Sequence, residues 1–311
     1  MTTTLEKFGL KAVGVIDWAT DIVLEFILII ALTFGVYSLW DSQQVYEAAD
    51  SANYIAYRPE ANDTLSFEEL CQINPEVIGW LTVNDTAIDY PITQTDNNEK
   101  YVNTNAEGEY TLSGSIFLDY RNSSDFDDFN SILYGHHMEK KMMFGALSDF
   151  ADEEYFNSHQ YGNLFFNGVD HGVEFFALIL TDAYNNNMFS PAIRQKEYQQ
   201  EFIDYIFSNA KNIRNVSVTP EDHLILLSTC TSDITNGRYI LVGKFIDELH
   251  LQEKSSPKPV VINLGTWDVR KLSQLEKIPV WLWLAAVAVL FILLLFIDGK
   301  VNLKRKINHE K

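Results

Sequence analysis

The chain has 311 residues, of which 47% are hydrophobic and 21% charged, a balance typical of a globular domain joined to membrane segments. Forty-three acidic residues against 23 basic ones give a formal net charge of -20, which excludes nucleic acid as a partner because a polyanion would be repelled. The two cysteines, Cys71 and Cys230, are too few for a disulfide framework and lack the short paired spacing of a zinc site. At least one is therefore expected to be a free thiol, and no metal or organic cofactor is implied.

The first apolar run predicts a transmembrane helix over residues 22–40. It reads IVLEFILIIALTFGVYSLW, with a single charge, and this length is enough to cross ~30 Å of hydrocarbon. The run is longer than the apolar core of a cleaved signal peptide, so we expect an uncleaved anchor. Residues 1–21 would then form a cytoplasmic N-terminus, and residues 41–65 an extracellular stalk.

Short β-prone runs bounded by Gly, Asn and Asp follow the stalk and predict one β-rich domain. The last two of these runs are the most apolar and are expected to be central strands. Helical patterns predict three helices, the last of them from a stripe of apolar residues at helical spacing. The predicted strands cover residues 77–83, 115–118, 131–134, 172–180, 223–229 and 239–245, and the predicted helices residues 66–72, 143–150 and 196–210.

A second apolar run predicts another transmembrane helix over residues 279–297. It reads PVWLWLAAVAVLFILLLFI, carries no charge, and begins with the tryptophans expected of an interfacial belt. A basic tail follows at residues 298–311, so the positive-inside rule places the C-terminus in the cytoplasm. Two spans then put both termini in the cytoplasm and the intervening domain outside, with residues 249–278 as a linker.

Cys230 is the first candidate catalytic residue. It ends the apolar run HLILLSTC and precedes the polar segment TSDITNG, which predicts a thiol at a strand end. If that segment reverses the chain, Arg238 begins an adjacent antiparallel strand and its guanidinium points at the same strand end. A thiolate beside a cation is a competent nucleophile. Spacing alone nevertheless favours an inert buried cysteine beside a surface arginine.

The histidine pair His136-His137 closes another β-prone run, SILYGHH. Adjacent residues of a strand face opposite ways, so only one imidazole can face a given site, where it would be a candidate acid and base. A lone histidine is more often structural, and the pair lacks the nearby ligands of a metal site. Cysteine, histidine and arginine at three strand ends suggest an active site without establishing one.

Several motifs, in order, resemble the class B sortases, a family of cysteine transpeptidases. LSTC at 227–230 followed by GRYILV at 237–242 is similar to the family's cysteine and arginine motif, and YGHHM at 134–138 with MFGAL at 143–147 to its histidine motif. The likeness covers roughly residues 66–248, and the helix predicted at 196–210 falls where class B members carry an extra helix. We therefore expect a mainly β fold with flanking helices: a sortase-like eight-stranded β-barrel, plus N- and C-terminal transmembrane helices. Three further stretches resemble the first part of the class B catalytic domain: NPEVIGWL at 74–81, IDYPI at 88–92 and GSIFLD at 114–119.

The resemblance also implies a role for each motif residue. Cys230 would attack the carbonyl carbon of a sorting-motif threonine to form a thioacyl-enzyme. His136 would protonate the departing amine and deprotonate the incoming one. Arg238 would hold substrate carbonyls or the developing oxyanion. The expected substrate-binding residues are Ser228, Thr229 and Thr231, the last through its backbone N–H as a second oxyanion donor.

The implied partners are surface or pilin proteins that carry a sorting motif, together with an amine acceptor. A C-terminal span is more common in the pilus-polymerising class C enzymes, but no aspartate-proline-aromatic lid motif precedes the barrel. A class B catalytic domain that works in pilus assembly accommodates both observations. The acceptor would then be a pilin lysine, and in the wall-anchoring alternative it would be a peptidoglycan precursor.

Three alternatives stay open at the level of sequence. A membrane-anchored cysteine endopeptidase would use the same thiol and imidazole with water as the acceptor. A non-catalytic surface binding protein would make Cys230 dispensable. A disulfide between Cys71 and Cys230 would silence the enzyme.

Overall fold

The structure is a computed structural model that describes residues 4–59, 65–231, 233, 235–250 and 289. The chain divides into two compact units, one of Met1–Gln43 with Ser255–Lys311 and one of Gln44–Lys254. The predicted linker, second span and basic tail, at residues 249–278, 279–297 and 298–311, lie almost entirely outside the described residues. They stay predictions.

The N-terminal helix α1 runs over Thr4–Ala49 and contains the span predicted at residues 22–40. Large apolar side chains such as Leu28, Leu32 and Phe34 are exposed along it, each with more than two thirds of its surface open. Within the part of the chain that the structure describes, α1 is the one helix long and apolar enough to cross a membrane. It therefore fits a membrane anchor or a signal sequence.

The second unit contains the eight-stranded barrel expected from the resemblance. Its strands are hydrogen-bonded in the order β5-β1-β2-β3-β4-β8-β9-β6, and β6 pairs with β5 to close the circle. The short β7 pairs only with β6, outside that circle. Neighbours are antiparallel except for β2 with β3 and β4 with β8, which are parallel. The strands are β1 Val77–Val83, β2 Asp89–Thr93, β3 Ile116–Leu118, β4 Asn130–Tyr134, β5 Tyr161–Phe166, β6 Val169–Asp182, β7 Asn212–Ile213, β8 Leu224–Thr231 and β9 Gly237–Ile246.

Both faces of the central strand β8 are buried, which explains its unbroken apolar run. Ile225 and Leu227 belong to the larger of two apolar clusters, whereas Leu224 and Leu226 belong to the smaller one. Alternate residues of a strand point to opposite faces, so the two clusters lie on the two sides of this wall. Strands β8 and β9 lie side by side between β4 and β6, and because the barrel is closed every one of its strands has a hydrogen-bonded neighbour on either side, so a central position does not set these two apart.

The smaller cluster is covered by helix α4, Lys196–Asn209. Phe202, Ile203 and Ile206 are buried there at helical spacing, and the Phe202 ring meets Phe129 edge-on at 6.2 Å. The predicted helix at 196–210 is therefore confirmed. The helix predicted at 66–72 is confirmed as α2, Leu65–Ile73. A further short helix, α3, runs over Glu153–Ser158.

Several elements differ from the sequence prediction. The expected helix at 143–150 is a 3-10 helix over Gly145–Ala151. Strands β2 and β5 were not predicted, because Pro91 interrupts the first and Gly162 with Asn163 weaken the β pattern of the second. Helix α3 is too short to show a period. Instead of a simple stalk, residues 51–57 form a 3-10 helix, Ser51–Tyr57, that packs into the core.

Truncation of the α4 anchor should weaken the fold. We expect Phe202→Ala to lower the free energy of unfolding by about 3 kcal/mol, because it leaves a cavity under the helix. Tyr198→Ala, on the exposed side of the same helix, should change it by about 0.5 kcal/mol or less. Urea titration of both variants measures the difference, and equal losses would contradict this account of the layer.

Candidate active site

Cys230 and Arg238 face each other across the central antiparallel pair. The register of β8 with β9 places Cys230 directly opposite Arg238. Directly opposed residues of such a pair project from the same face, so the thiol and the guanidinium lie on one side of the wall. Cys230 is exposed and Arg238 half-buried. The predicted chain reversal after Cys230 is therefore confirmed.

His136 reaches the same strand end through the parallel pairing of β4 with β8. Tyr134 is in register with Ser228, and the Gly135 N–H continues the ladder by donating to the Ser228 carbonyl at 3.2 Å. His136 and Cys230 each lie two residues beyond that paired position. The structure thus brings together the ends of β4, β8 and β9, which carry the three predicted catalytic residues.

The imidazole of His136 is oriented by a backbone carbonyl. Its Nε2 lies 2.8 Å from the Val102 oxygen, and because a carbonyl only accepts, Nε2 must carry the proton in this contact. This leaves Nδ1 as the ring nitrogen that can accept a proton when the imidazole is neutral. His137 is exposed, and its backbone forms a β-bridge with Met143. His136, the half-buried histidine of the pair, is the one whose ring contacts Val102.

Gly114 lets the chain pass tightly beneath that carbonyl. It adopts a φ of +60°, and a Cβ built on it would lie 2.6 Å from the Val102 oxygen and 2.5 Å from the Tyr101 oxygen. A larger residue would be strained in this conformation and would push against the acceptor of His136. The glycine therefore belongs to the support of the histidine.

A buried carboxylate fixes the strand that carries His136. Asp119 is fully buried and accepts from Arg121 Nε at 2.8 Å, from the Tyr134 hydroxyl at 3.0 Å and from Asn98 Nδ2 at 3.0 Å. Burial alone would raise the pKa of Asp119, but the hydrogen bonds, first those from Arg121, together lower it below its ordinary value. A charged Asp119 with several hydrogen-bond donors thus holds Tyr134, which lies two residues before His136.

The guanidinium of Arg238 contacts a backbone carbonyl and no carboxylate among the described residues. Its NH1 donates to the Gly237 carbonyl at 3.0 Å, and the part of the chain that the structure describes offers it no ion pair. The next residue, Tyr239, is buried, and its hydroxyl donates to Asp233 in the loop that follows Cys230. This hydrogen bond fastens the loop between Cys230 and Arg238 to strand β9.

The three predicted substrate-binding residues occupy different environments. Ser228 is on the same face as Cys230, is buried, and its hydroxyl has no hydrogen-bond partner among the described residues. Thr229 points to the other face, where its hydroxyl donates to the Gly135 carbonyl at 2.9 Å. Thr231 is half-buried, and its hydroxyl accepts from the Asp233 N–H at 3.2 Å.

Both cysteines are free thiols, so the disulfide alternative is wrong for this structure. Cys71 lies on α2, half-buried, where its thiol donates to the Val77 carbonyl at 3.7 Å. Burial, and then the charge of Glu68, raise the pKa of the Cys71 thiol. Cys71 is therefore the less reactive of the two, and Cys230 is the accessible thiol.

No protein-family model matches the chain. It is 34% identical to Sortase B of Listeria monocytogenes over 191 residues, which cover 60% of this chain and 76% of that protein. This chain is a class B sortase. A solved sortase B from the type II pilus of Streptococcus pneumoniae is 44% identical, with a TM-score of 0.52 over 58% of this chain and 99% of that one. A class B sortase of Streptococcus pyogenes involved in pilus biogenesis is 40% identical, with a TM-score of 0.54 over 58% and 97% of the two chains.

A class B sortase is a cysteine transpeptidase, so this sortase is an enzyme. The endopeptidase and the non-catalytic binding protein, which the sequence left open, are accordingly set aside. Sequence reasoning missed the supports of the sortase site, among them Val102, Gly114 and Asp119. GSIFLD contains two of these residues and resembles the family, but nothing in the motif shows that its glycine faces a carbonyl.

Thiol reactivity should separate the two cysteines of this sortase. Iodoacetamide at neutral pH should label Cys230 first and Cys71 about tenfold more slowly, because Cys71 is less accessible and forms less thiolate. Its raised pKa means that Cys71 labelling should increase only at a pH above that of an ordinary thiol. Peptide mass spectrometry without prior reduction gives both rates. Equal rates at neutral pH would contradict the assignment.

Gly114→Ala should slow turnover by about tenfold or more, because displacement of the Val102 carbonyl misplaces the His136 ring. Gly108→Ala is the matched control: Gly108 lies in the same loop at a φ of +88°, yet a Cβ there meets nothing within 4 Å. Steady-state kinetics with a labelled sorting peptide compare the two variants. Equal turnover in both would show that backbone strain, not contact with Val102, sets the effect.

Proposed function

We propose that this sortase cleaves a sorting motif in pilin proteins and joins the new carboxyl end to a pilin lysine amine. The observation that carries the proposal is the convergence of three side chains at one end of neighbouring strands. An exposed Cys230 lies opposite Arg238, and His136 lies two residues beyond the position that pairs with Ser228.

In the first half-reaction the Cys230 sulfur attacks the carbonyl carbon of the motif threonine. A C–S bond forms, the peptide C–N bond breaks, and His136 gives a proton to the departing amine. Because Nε2 of His136 donates to Val102, the transferred proton belongs on Nδ1. In the second half-reaction the unprotonated Nδ1 accepts a proton from the incoming amine, which attacks the thioacyl carbon; the C–S bond breaks and Cys230 leaves as the thiolate, beside the His136 ring that is protonated again.

Arg238 donates to the oxygen that becomes negative in both tetrahedral intermediates. Its guanidinium lies on the face of Cys230 and has no carboxylate to neutralise it among the described residues. The Thr231 N–H, directly after the nucleophile in the chain, is the second donor. Two donors aimed at a developing oxyanion stabilise the transition state more than the ground state.

The predicted substrate-binding residues have different proposed roles. Ser228 has an unpartnered hydroxyl on the face of Cys230, but it is buried, so it lies beneath the peptide site and does not contact the peptide directly. Thr229 acts through the backbone, because its hydroxyl holds the Gly135 carbonyl just before His136. We therefore assign Ser228 to the layer beneath the site and Thr229 to positioning.

Two relatives support a pilin substrate. The Streptococcus pneumoniae structure comes from a type II pilus and the Streptococcus pyogenes enzyme is involved in pilus biogenesis, at 44% and 40% identity. The Sortase B of Listeria monocytogenes is less similar, at 34% identity. Wall anchoring, with a peptidoglycan-precursor amine as acceptor, is the second candidate function, since the catalytic steps are the same.

The proposed location is the outer face of the cell membrane. The apolar run at 22–40 within α1 forms the first span, and the run at 279–297 with its basic tail forms the second. The catalytic domain, residues 66–248, is then outside, and both termini are cytoplasmic.

Transpeptidation should depend on all three catalytic residues. We expect Cys230→Ala to abolish the thioacyl-enzyme and His136→Ala nearly to do so. Arg238→Lys should lose most activity, because lysine keeps the charge but lacks the planar fork. The assay incubates the chain with a sorting-motif peptide library and an amine acceptor, and mass spectrometry detects the joined product.

The choice of acceptor distinguishes the two candidate functions. A lysine-containing pilin peptide that is joined faster than a peptidoglycan-type amine supports pilus assembly, and the reverse order supports wall anchoring. Full turnover by Arg238→Lys would overturn the role of the guanidinium.

A further inference from the structure

The end of α1 and the turn after it are part of the catalytic unit. Ala49, the last residue of α1, is 1% exposed, and Tyr54, in the following 3-10 helix, is 6% exposed. Both belong to the larger apolar cluster. Residues 44–57, which we call the membrane-proximal segment, are therefore packed against the barrel instead of extending as a tether.

The first contact of this segment is with the loop that follows His136. The Tyr46 hydroxyl donates to Glu139 Oε2 at 2.8 Å, and Lys140 Nζ lies 4.3 Å from the centre of the Tyr46 ring. Glu139 is three residues after His136. One side chain of α1 thus engages two neighbouring residues of the histidine loop.

The second contact ties the far end of that loop to the same helix. The Tyr90 hydroxyl donates to the Ala49 carbonyl at 2.9 Å and accepts from the Met143 N–H at 3.1 Å. Tyr90 is 2% exposed, so both hydrogen bonds are shielded from water. The loop over residues 137–143 is therefore held by α1 at both ends.

This loop needs external support because of its backbone conformation. Lys140, Lys141 and Met143 have φ values of 58°, 65° and 51°. Non-glycine residues in this region cost on the order of 1 kcal/mol each and persist where surrounding contacts determine the conformation. Tyr46 and Tyr90 supply such contacts, the first to residues 139 and 140 and the second to residue 143.

The membrane-proximal segment also meets the loop that carries Val102, the acceptor of His136. Tyr54 and Ala106 belong to the same buried cluster, and burial, followed by the nearby charge of Glu107, raises the pKa of both Tyr54 and Tyr57. Ala48, Tyr54, Ala106 and Gly114 line one small enclosed space with Tyr90 and Met143. Both loops that flank the imidazole therefore converge on residues 44–57.

We propose that the membrane-proximal segment is a positioning element for His136, with Tyr46 and Glu139 as its key pair. The inference builds on the proposed role of His136. The segment continues directly into the apolar run of α1, so the orientation of the acid and base depends on the part of the chain that leads into the anchor. Cys230 and Arg238, which the sheet itself holds, do not depend on it.

The test uses the full chain in lipid nanodiscs and measures kcat and KM for transpeptidation. Tyr46→Phe and Glu139→Ala should each lower kcat about fivefold, the effect of one hydrogen bond, with KM unchanged. The double variant should also lose only about fivefold, because both changes remove the same contact. Tyr198→Phe, on the exposed side of α4, is the control and should keep full activity. Thermal unfolding should be the same for all four proteins.

Three outcomes would overturn the proposal: unchanged kcat in both single variants, losses that multiply to about 25-fold in the double variant, or a loss confined to KM. Iodoacetamide labelling of Cys230 serves as a folding check, since its rate should be unaffected in every variant. His136→Ala in the same assay separates this proposal from the one on which it rests. If His136→Ala keeps its activity, the catalytic assignment fails; if it is inactive while Tyr46→Phe is fully active, only the positioning role fails.

Discussion

The parallel pairing of β4 with β8 is the constraint on which the site depends. Residues 136 and 230 are far apart in the chain, and the register of Tyr134 with Ser228 brings the two segments that carry them to the same strand end. A parallel pair needs a crossover connection, and here it includes β5, β6 and α4, so much of the barrel is the connection that makes the site possible. A slip of one residue would turn His136 to the other face of the wall.

The three residues proposed as catalytic are held in place by different kinds of contact. Cys230 and Arg238 lie on a closed sheet with apolar clusters on both faces, so their spacing is fixed by a backbone ladder that has little freedom. His136 lies beyond the end of β4, where the Val102 carbonyl, the Thr229 hydroxyl and the buried Asp119 network replace the ladder. The position of His136 therefore depends on loops, whereas the position of Cys230 depends on the barrel.

The sequence was informative where residues act locally. Alternation and apolar runs located β1, β8 and β9, and the motifs pointed to Cys230, His136 and Arg238, which the structure places at neighbouring strand ends. It was uninformative where a contact joins distant loops. Pro91 hid β2, and neither the Gly114 contact with Val102 nor the Tyr46 bond to Glu139 leaves any periodic signal, since each depends on how separate segments fold back on one another.

This division explains why stability and activity should respond to different substitutions. Residues under α4 contribute buried apolar area and lie on the wall itself, so changes there act on unfolding free energy. The loops around His136 contain three non-glycine residues with positive φ, two glycines with positive φ and several exposed side chains, which makes them poor contributors to stability but effective determinants of geometry. A sortase built in this way can keep Cys230 rigid while the proposed positioning of His136 is set by the segment that leads into the apolar run of α1. Changes in that segment would then act on catalysis while the barrel stays intact.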